Sequence, residues 1–250
     1  PEIEGKVAIV TGGTKGLGYG IVMKLAAAGA KVVITSRHQD DCDAVAKEIA
    51  ELGGDAMGIA TDVQNVDQIQ SLVARTVEKY GRLDIMVNNA GIAVTKRLTD
   101  MTESDYNRVI DSNLKSVYFG GQAAAKQMIE QGGGGKIINM CSIGGIKGNN
   151  QLSTYGASKA GAINLTKSMA WEWGRYGINV NAICPGYFYS PLTKETLDSD
   201  FFQANAHTMI PLERYGNEGE LDTAALFLAS PASSYVTGVA LPVDGGYTSM

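Results

Sequence analysis

The chain has little of what builds metal centres or covalent cross-links: three cysteines and two histidines in 250 residues. Cys42, Cys141 and Cys184 are odd in number and widely spaced, so they read as free thiols of a reducing compartment. His38 and His207 stand alone, which excludes a zinc site of ordinary ligand spacing. Proline is scarce, no linker-like stretch interrupts the chain and no internal repeat is present, so a single domain over 1–250 is expected. No apolar run approaches the ~18 residues that a transmembrane helix needs. The opening segment Pro1–Lys6 lacks the apolar core of a secretory signal, so a cytoplasmic protein is expected. A net charge of −5 offers no basic surface for nucleic acid or an anionic membrane.

What the chain does have is glycine and a regular alternation of short apolar runs with helical patterns. Strands are expected at Lys6–Thr11, Lys31–Ser36, Met57–Thr61, Leu83–Asn88, Lys136–Met140, Ile178–Ile183 and Val239–Val243. Between them the periodicity predicts helices over Gly16–Ala28, Asp40–Leu52, Val66–Tyr80, Glu103–Glu130, Ser153–Arg175 and Glu218–Ala229, with Pro191–Pro211 less regular. Nearly continuous apolar strands alternating with helices predict an α/β fold. Its core is a Rossmann-type, doubly wound parallel sheet of about seven strands with helices on both faces.

The first strand runs into Thr11-Gly-Gly-Thr-Lys-Gly-Leu-Gly18 and then a helix. Glycines at such a turn let a ligand approach the backbone, and the helix start offers free N–H groups to a diphosphate. Enzymes selective for NAD place an acid near the end of the second strand. Here Ser36 and Arg37 occupy that place, and a guanidinium suits a 2′-phosphate, which Lys15 can also reach. The expected cofactor is therefore NADP(H), preferred over NAD(H). Asp40 and Asp41 read as helix-start residues.

Tyr155 and Lys159 are four residues apart, hence on one helix face, and Ser142 lies thirteen residues upstream. A free tyrosine titrates near 10, and a neighbouring cation favours a phenolate. Taken alone such a pair is common on solvated helix faces; its neighbours decide its meaning.

In order and spacing, Thr11-Gly-x-x-x-Gly-x-Gly18, Asp62, Asn88-Asn89-Ala90-Gly91, Asn113, Ser142, Tyr155-x-x-x-Lys159 and Pro185-Gly186 resemble the short-chain dehydrogenase/reductase family over the whole chain. The stretches Trp171–Ala182 and Pro211–Gly216 are similar to gluconate 5-dehydrogenase-like and 3-oxoacyl reductase-like members. The resemblance implies hydride transfer between nicotinamide and a ketone or secondary alcohol. Tyr155 would be the general acid/base, Lys159 its cationic neighbour and the holder of the nicotinamide ribose, and Ser142 the group orienting the substrate oxygen. Asn113 would anchor a proton-relaying water; asparagine inside a helix is unfavourable by propensity, a local misfit that functional positions show.

The family's cofactor contacts carry over to Gly12, Thr14, Lys15, Gly16, Leu17 and Gly18 in the loop, and to Ser36 and Arg37. Asp62 and Val63 would meet adenine, Asn89 the adenosine side, and Gly91 is a further cofactor contact. Pro185, Gly186, Phe188 and Ser190 would meet the carboxamide. The family commonly has threonine where Ser190 stands; Thr193 is nearby.

The resemblance also implies a homo-oligomer, dimer or tetramer, built through the helices at 103–130 and 153–175, which are rich in small residues such as Gly120, Gly121 and Ala157. The substrate is expected between Ser142–Tyr155 and a lid around 187–212. Asn149, Asn150 and Gln151 would suit a hydroxylated substrate, whereas Leu152, Tyr187, Phe201, Phe202 and Met209 would suit an apolar ketone. His207 reads as a surface residue, and no metal is expected. The leading reading is an NADPH-dependent carbonyl reductase. An NAD-linked polyol or sugar-acid dehydrogenase and a non-catalytic NADP-binding regulator are the alternatives.

Overall fold

The computed structural model describes residues 3–190, 193–217 and 219–249; Pro1, Glu2, Pro191, Leu192, Glu218 and Met250 lie outside it. Seven parallel strands run in the spatial order β3-β2-β1-β4-β5-β6-β7. They are β1 (Val7–Thr11), β2 (Lys31–Ser36), β3 (Asp55–Ala60), β4 (Ile85–Asn88), β5 (Gly135–Met140), β6 (Ile178–Pro185) and β7 (Ala240–Val243). The helices are α1 (Gly16–Ala27), α2 (Gln39–Glu51), α3 (Val66–Tyr80), α4 (Glu103–Ile110), α5 (Ser116–Gln131), α6 (Ser153–Trp173), α7 (Lys194–Leu197), α8 (Asp200–Met209) and α9 (Glu220–Ala229). The expected doubly wound α/β sheet is thus the fold.

Strand alternation divides the core. Ala8, Val10, Val32, Ile34, Ile85 and Val87 face α1, α2 and α9, where Ile21, Leu25, Ile49 and Leu228 complete one apolar layer. Ile9, Val33, Met86, Ile137 and Val180 face α3, α5 and α6, meeting Leu72, Met128 and Met169. Each fully buried aliphatic side chain of this kind contributes about 1.5–3 kcal/mol. Local signals set the helix ends. The Asn65 side chain caps α3 by accepting from Asp67 N–H and Gln68 N–H, and Gly81 closes it at φ 78°. Thr102 and Asp105 form a reciprocal capping box on α4.

Two segments differ from the periodicity reading. The single helix expected over Glu103–Glu130 is divided by a π turn at Asp111–Lys115, between α4 and α5. Its cause is tertiary: Asn113 is fully buried and bonds the backbone of Ile92, which a regular helical turn would not let it reach. The stretch read as irregular contains α7 and α8. Ser199 caps α8 by accepting from Phe202 N–H, and Leu197, Phe202 and Ile210 bury one another in a small apolar cluster apart from the main core.

Beneath α5 and α6 the sheet carries a buried polar chain. Asn88 Nδ2 donates to Asn139 Oδ1 at 2.9 Å, Asn139 Nδ2 donates to Thr166 Oγ1 at 2.9 Å, and Thr166 Oγ1 donates to the Ala162 carbonyl at 2.8 Å. All three side chains are buried. Asn139→Ala leaves the Asn88 amide unpaired in the core and is expected to lower unfolding stability by about 2 kcal/mol or more, at ~1–3 kcal/mol per orphaned group. Urea unfolding followed by circular dichroism measures this; an unchanged midpoint would show that the chain of amides is dispensable.

Candidate active site

The site forms at the carboxyl ends of the strands, where the strand order reverses between β1 and β4. The glycine loop leaves β1 with Gly12 at φ 64° and enters α1 at Gly16, φ 57°. A Cβ at Gly18 would stand 2.2 Å from the Gly12 carbonyl oxygen, so only glycine permits this approach of helix to loop. No side chain caps α1; Lys15, at its N-cap, is exposed, and the first-turn N–H groups face the loop's cradle unclaimed. Thr14 and Leu17 are half-buried beside them, Leu17 resting on the core.

Asn89 fastens this loop to β4. Its Nδ2 donates to the carbonyls of Thr11 at 2.8 Å and Gly12 at 3.0 Å. In return the Thr11 hydroxyl accepts from the N–H groups of Asn89 and Ala90 at 2.9 and 3.0 Å. Asn89 therefore braces the cradle, a role that the sequence reading, which assigned it to the adenosine, did not see. Thr11 was read only as the first residue of the glycine motif, and its hydroxyl's part in the brace was not seen.

Ser142, at the end of β5, accepts at Oγ from Gly144 N–H at 3.0 Å. Lys159 lies on α6 with Nζ 5.8 Å from the centre of the Tyr155 ring, and donates to the Met140 carbonyl at 2.7 Å. It is buried, with 4% of its surface exposed. Asn113 Oδ1 accepts from Ile92 N–H at 2.8 Å, and Nδ2 donates to Ile92 O and Ser158 Oγ at 2.9 and 3.1 Å. Ser158 Oγ donates to the Tyr155 carbonyl at 2.7 Å, so Asn113 ties α6 to the end of β4. A Cβ on Gly91 would lie 3.1 Å from Asn113 Oδ1 and 3.4 Å from Lys159 Nζ, which brings those two groups to one place. The structure thus gathers Asn113, Ser142, Tyr155 and Lys159 at one end of the sheet.

At the end of β2, Ser36 closes its own turn, with Oγ donating to His38 O at 3.1 Å and its N–H donating to Cys42 Sγ at 3.1 Å. Arg37 is exposed and makes no hydrogen bond or ion pair among the described residues. Asp62 and Val63, after β3, are half-buried; Asp62 Oδ1 accepts from Gln64 N–H at 3.0 Å. Pro185 ends β6 opposite Val243, and Gly186 N–H donates to the Val243 carbonyl at 2.9 Å. The Phe188 ring is enclosed in the core, leaving its backbone as the part that can meet a ligand. Ser190 Oγ lies 2.9 Å from Thr193 Oγ1, which donates to the Phe188 carbonyl.

Around the cleft, Tyr187 packs on Phe202 and Tyr247 at ring distances of 4.9 and 5.4 Å, and burial pushes its phenol up to about 12. Phe202 belongs to the small apolar cluster, Phe201 is 70% exposed and His207 is exposed on α8. Cys141 and Cys184 are buried on neighbouring strands and share a hydrogen bond that lowers the Cys141 thiol and raises that of Cys184. Among the described residues, no cluster of three or more His, Cys, Asp or Glu side chains could hold a metal ion, and no helix is long and apolar enough to cross a membrane.

The family profile described as enoyl-(acyl carrier protein) reductase matches residues 12–248. The 2-dehydro-3-deoxy-D-gluconate 5-dehydrogenase of Escherichia coli K12 is 39% identical over 246 residues, covering 98% of this chain and 96% of that protein. The 3-oxoacyl-(acyl-carrier-protein) reductase FabG of Thermotoga maritima is 39% identical over 245 residues, 98% of each. Among solved structures, a gluconate 5-dehydrogenase from Burkholderia cenocepacia J2315, in complex with NADP and tartrate, matches at a TM-score of 0.96 and 36% identity over 100% of this chain and 97% of that one. Alike in sequence and fold from the glycine loop to the last strand, the chain belongs to the short-chain dehydrogenase/reductase family, oxidoreductases that interconvert CH–OH and C=O groups with a nicotinamide cofactor.

Proposed function

We propose that this chain is an NADPH-dependent carbonyl reductase, reversible as an alcohol dehydrogenase. The carrying observation is the convergence of Ser142, Tyr155 and Lys159 beside a glycine cradle whose α1 N-terminus has no side-chain cap. The cradle fits a dinucleotide: a side chain at Gly18 would force the loop away from the helix start, and the uncapped helix start suits a diphosphate. Lys15, Arg37, Asp62, Val63, Gly91 and the 185–190 turn are the groups that would hold the rest. When bound, the nicotinamide supplies or takes the hydride.

The chain's own residues supply the proton chemistry. Because Ser142 Oγ accepts from Gly144 N–H, its hydrogen is free to donate to the substrate carbonyl oxygen. The Tyr155 hydroxyl gives a proton to that oxygen in reduction and takes it back in oxidation. Lys159 keeps its ammonium beside the ring through the Met140 carbonyl and retains two N–H donors for the ribose hydroxyls. Asn113, with both amide hydrogens engaged, has a remaining Oδ1 lone pair for a water on the way to Lys159. The segment around 187–212, of which 191 and 192 lie outside the described residues, acts as the substrate lid, a reading supported by the separate apolar cluster of Leu197, Phe202 and Ile210.

NADP(H) is favoured over NAD(H) because Arg37 is an exposed, unpaired guanidinium at the end of β2, where no acid is present to take a ribose hydroxyl. The solved gluconate 5-dehydrogenase holding NADP agrees with that choice. We also propose a homo-oligomer. Gly120 and Gly121 pack inside the chain, against Asn88 and Met169, so they do not carry that reading. It is supported by Tyr118, Ile129 and Trp171, which α5 and α6 leave exposed; Ile129 and Trp171 line a groove of about 390 Å³.

Tyr155→Phe is expected to lower kcat for ketone reduction by about 10²–10⁴-fold, the range for losing a general acid, with NADPH binding retained. Full activity in that variant would falsify the mechanism. Arg37→Ala is expected to raise the KM for NADPH about 10–100-fold, the loss of a charge-assisted contact of ~1.5–3 kcal/mol, and to leave the KM for NADH within a few-fold. Steady-state titration with each cofactor separates the outcomes, and equal shifts for both would remove Arg37 from phosphate recognition.

A further inference from the structure

One half-buried polar side chain beside the reacting groups has no role in the chemistry above. Asn149 lies in the turn between Ser142 and α6, and its amide makes no hydrogen bond among the described residues. Gly144 locates it. A Cβ on Gly144 would stand 3.0 Å from Asn149 Nδ2, 3.4 Å from Ser142 Oγ and 3.4 Å from the edge of the Tyr155 ring. Gly144 therefore brings the amide, the hydroxyl and the phenol ring together around its own Cα.

The turn that presents this amide is anchored. Gln151 takes φ 61°, a left-handed conformation that side-chain-bearing residues adopt only where their surroundings impose it. Its carbonyl accepts from Lys96 N–H at 2.9 Å, and the Lys96 ammonium pairs with Asp105 of α4. The other polar residues of the turn, Asn150 and Gln151, are exposed. Of the apolar candidates across the cleft, Phe202 is buried in the lid cluster and Phe201 is turned to solvent.

We propose that Asn149 is a specificity-determining residue whose amide binds a hydroxyl on the carbon next to the reacting carbonyl, so that the preferred substrates are α-hydroxy ketones, keto-sugars and their acids among them. The inference rests on the carbonyl-reductase reading. A hydroxyl is both donor and acceptor, and a primary amide is its complement, donating through Nδ2 and accepting through Oδ1. An oxygen on the neighbouring carbon stands about one hydrogen-bond length from a carbonyl oxygen held by Ser142 and Tyr155, and the Asn149 amide adjoins both of those residues around Gly144. A simple ketone leaves that amide without a partner, and sites built to bond a hydroxyl reject analogues lacking it more strongly than apolar contacts can.

The test is NADPH oxidation with hydroxyacetone against acetone and 3-hydroxy-2-butanone against 2-butanone, in the wild type, Asn149→Ala and Asn149→Asp. NADPH fluorescence titration establishes that each variant is folded. In the wild type the hydroxylated member of each pair is expected to have the higher kcat/KM by about 100-fold, and Asn149→Ala to shrink that ratio at least about tenfold, mainly through KM. Asn149→Asp, which keeps an acceptor, is expected to fall between the two. A ratio unchanged in both variants, or an equal loss on both members of a pair, overturns the proposal and assigns Asn149 a structural role. A wild type that binds NADPH but reduces none of the four ketones overturns the carbonyl-reductase reading, and this inference with it.

Discussion

Thr11 and Asn89 together form the contact on which the remaining site geometry depends. The paired register of β1 and β4 ends at Val10 and Val87, and just beyond it the glycine loop must hold its shape. The Asn89 amide holds the Thr11 and Gly12 carbonyls while the Thr11 hydroxyl holds the Asn89 and Ala90 N–H groups. Four hydrogen bonds in a half-buried place satisfy backbone groups that would otherwise meet the ligand or go unpaired. With the loop so braced, the first N–H groups of α1 keep a constant aim, and electrostatic preorganisation of this kind needs no rearrangement when a ligand arrives.

A second clamp, at Asn113, joins the other half of the site to the same strand end. The π turn gives its side chain access to Ile92, and through Ser158 the connection continues to the Tyr155 carbonyl. Helices α4, α5 and α6 are thereby referenced to the loop after β4, which places Lys159 beside Asn113 across Gly91. Helix regularity is given up at one turn, and the irregularity coincides with the residue whose helix propensity is poor. The segment with α7 and α8 differs in kind: it folds on Leu197, Phe202 and Ile210, apart from the main apolar layers.

Much of this was legible from residue order. The strands are short continuous apolar runs because both faces of a parallel sheet are covered, and all seven lie at or within a few residues of their expected places. Tyr155, Lys159 and Ser142 were legible as a spacing. What escaped was whatever depends on a distant partner. The break at Asp111–Lys115 is invisible to periodicity because Ile92, not a neighbour on the helix, causes it. α7 and α8 were obscured because their burial is against each other and Tyr187, across mixed polar sequence. Small residues on α5 read as a surface for another chain, whereas Gly120 and Gly121 lie under Asn88 and Met169 of this one.

The sequence by itself determined the parallel α/β architecture, the glycine cradle and the family's catalytic residue types, because strand burial, helix caps and a glycine turn are local or periodic properties. Only the tertiary structure decided what those residues face: that Asn89 braces the loop, that Asn113 sits in a π turn, that Arg37 is left unpaired, and that Asn149 meets Ser142 and Tyr155 around Gly144. These depend on strand order and on contacts between residues tens of positions apart, which no local pattern encodes. The trio of serine, tyrosine and lysine, only a spacing in the sequence, is brought together by β5 and α6.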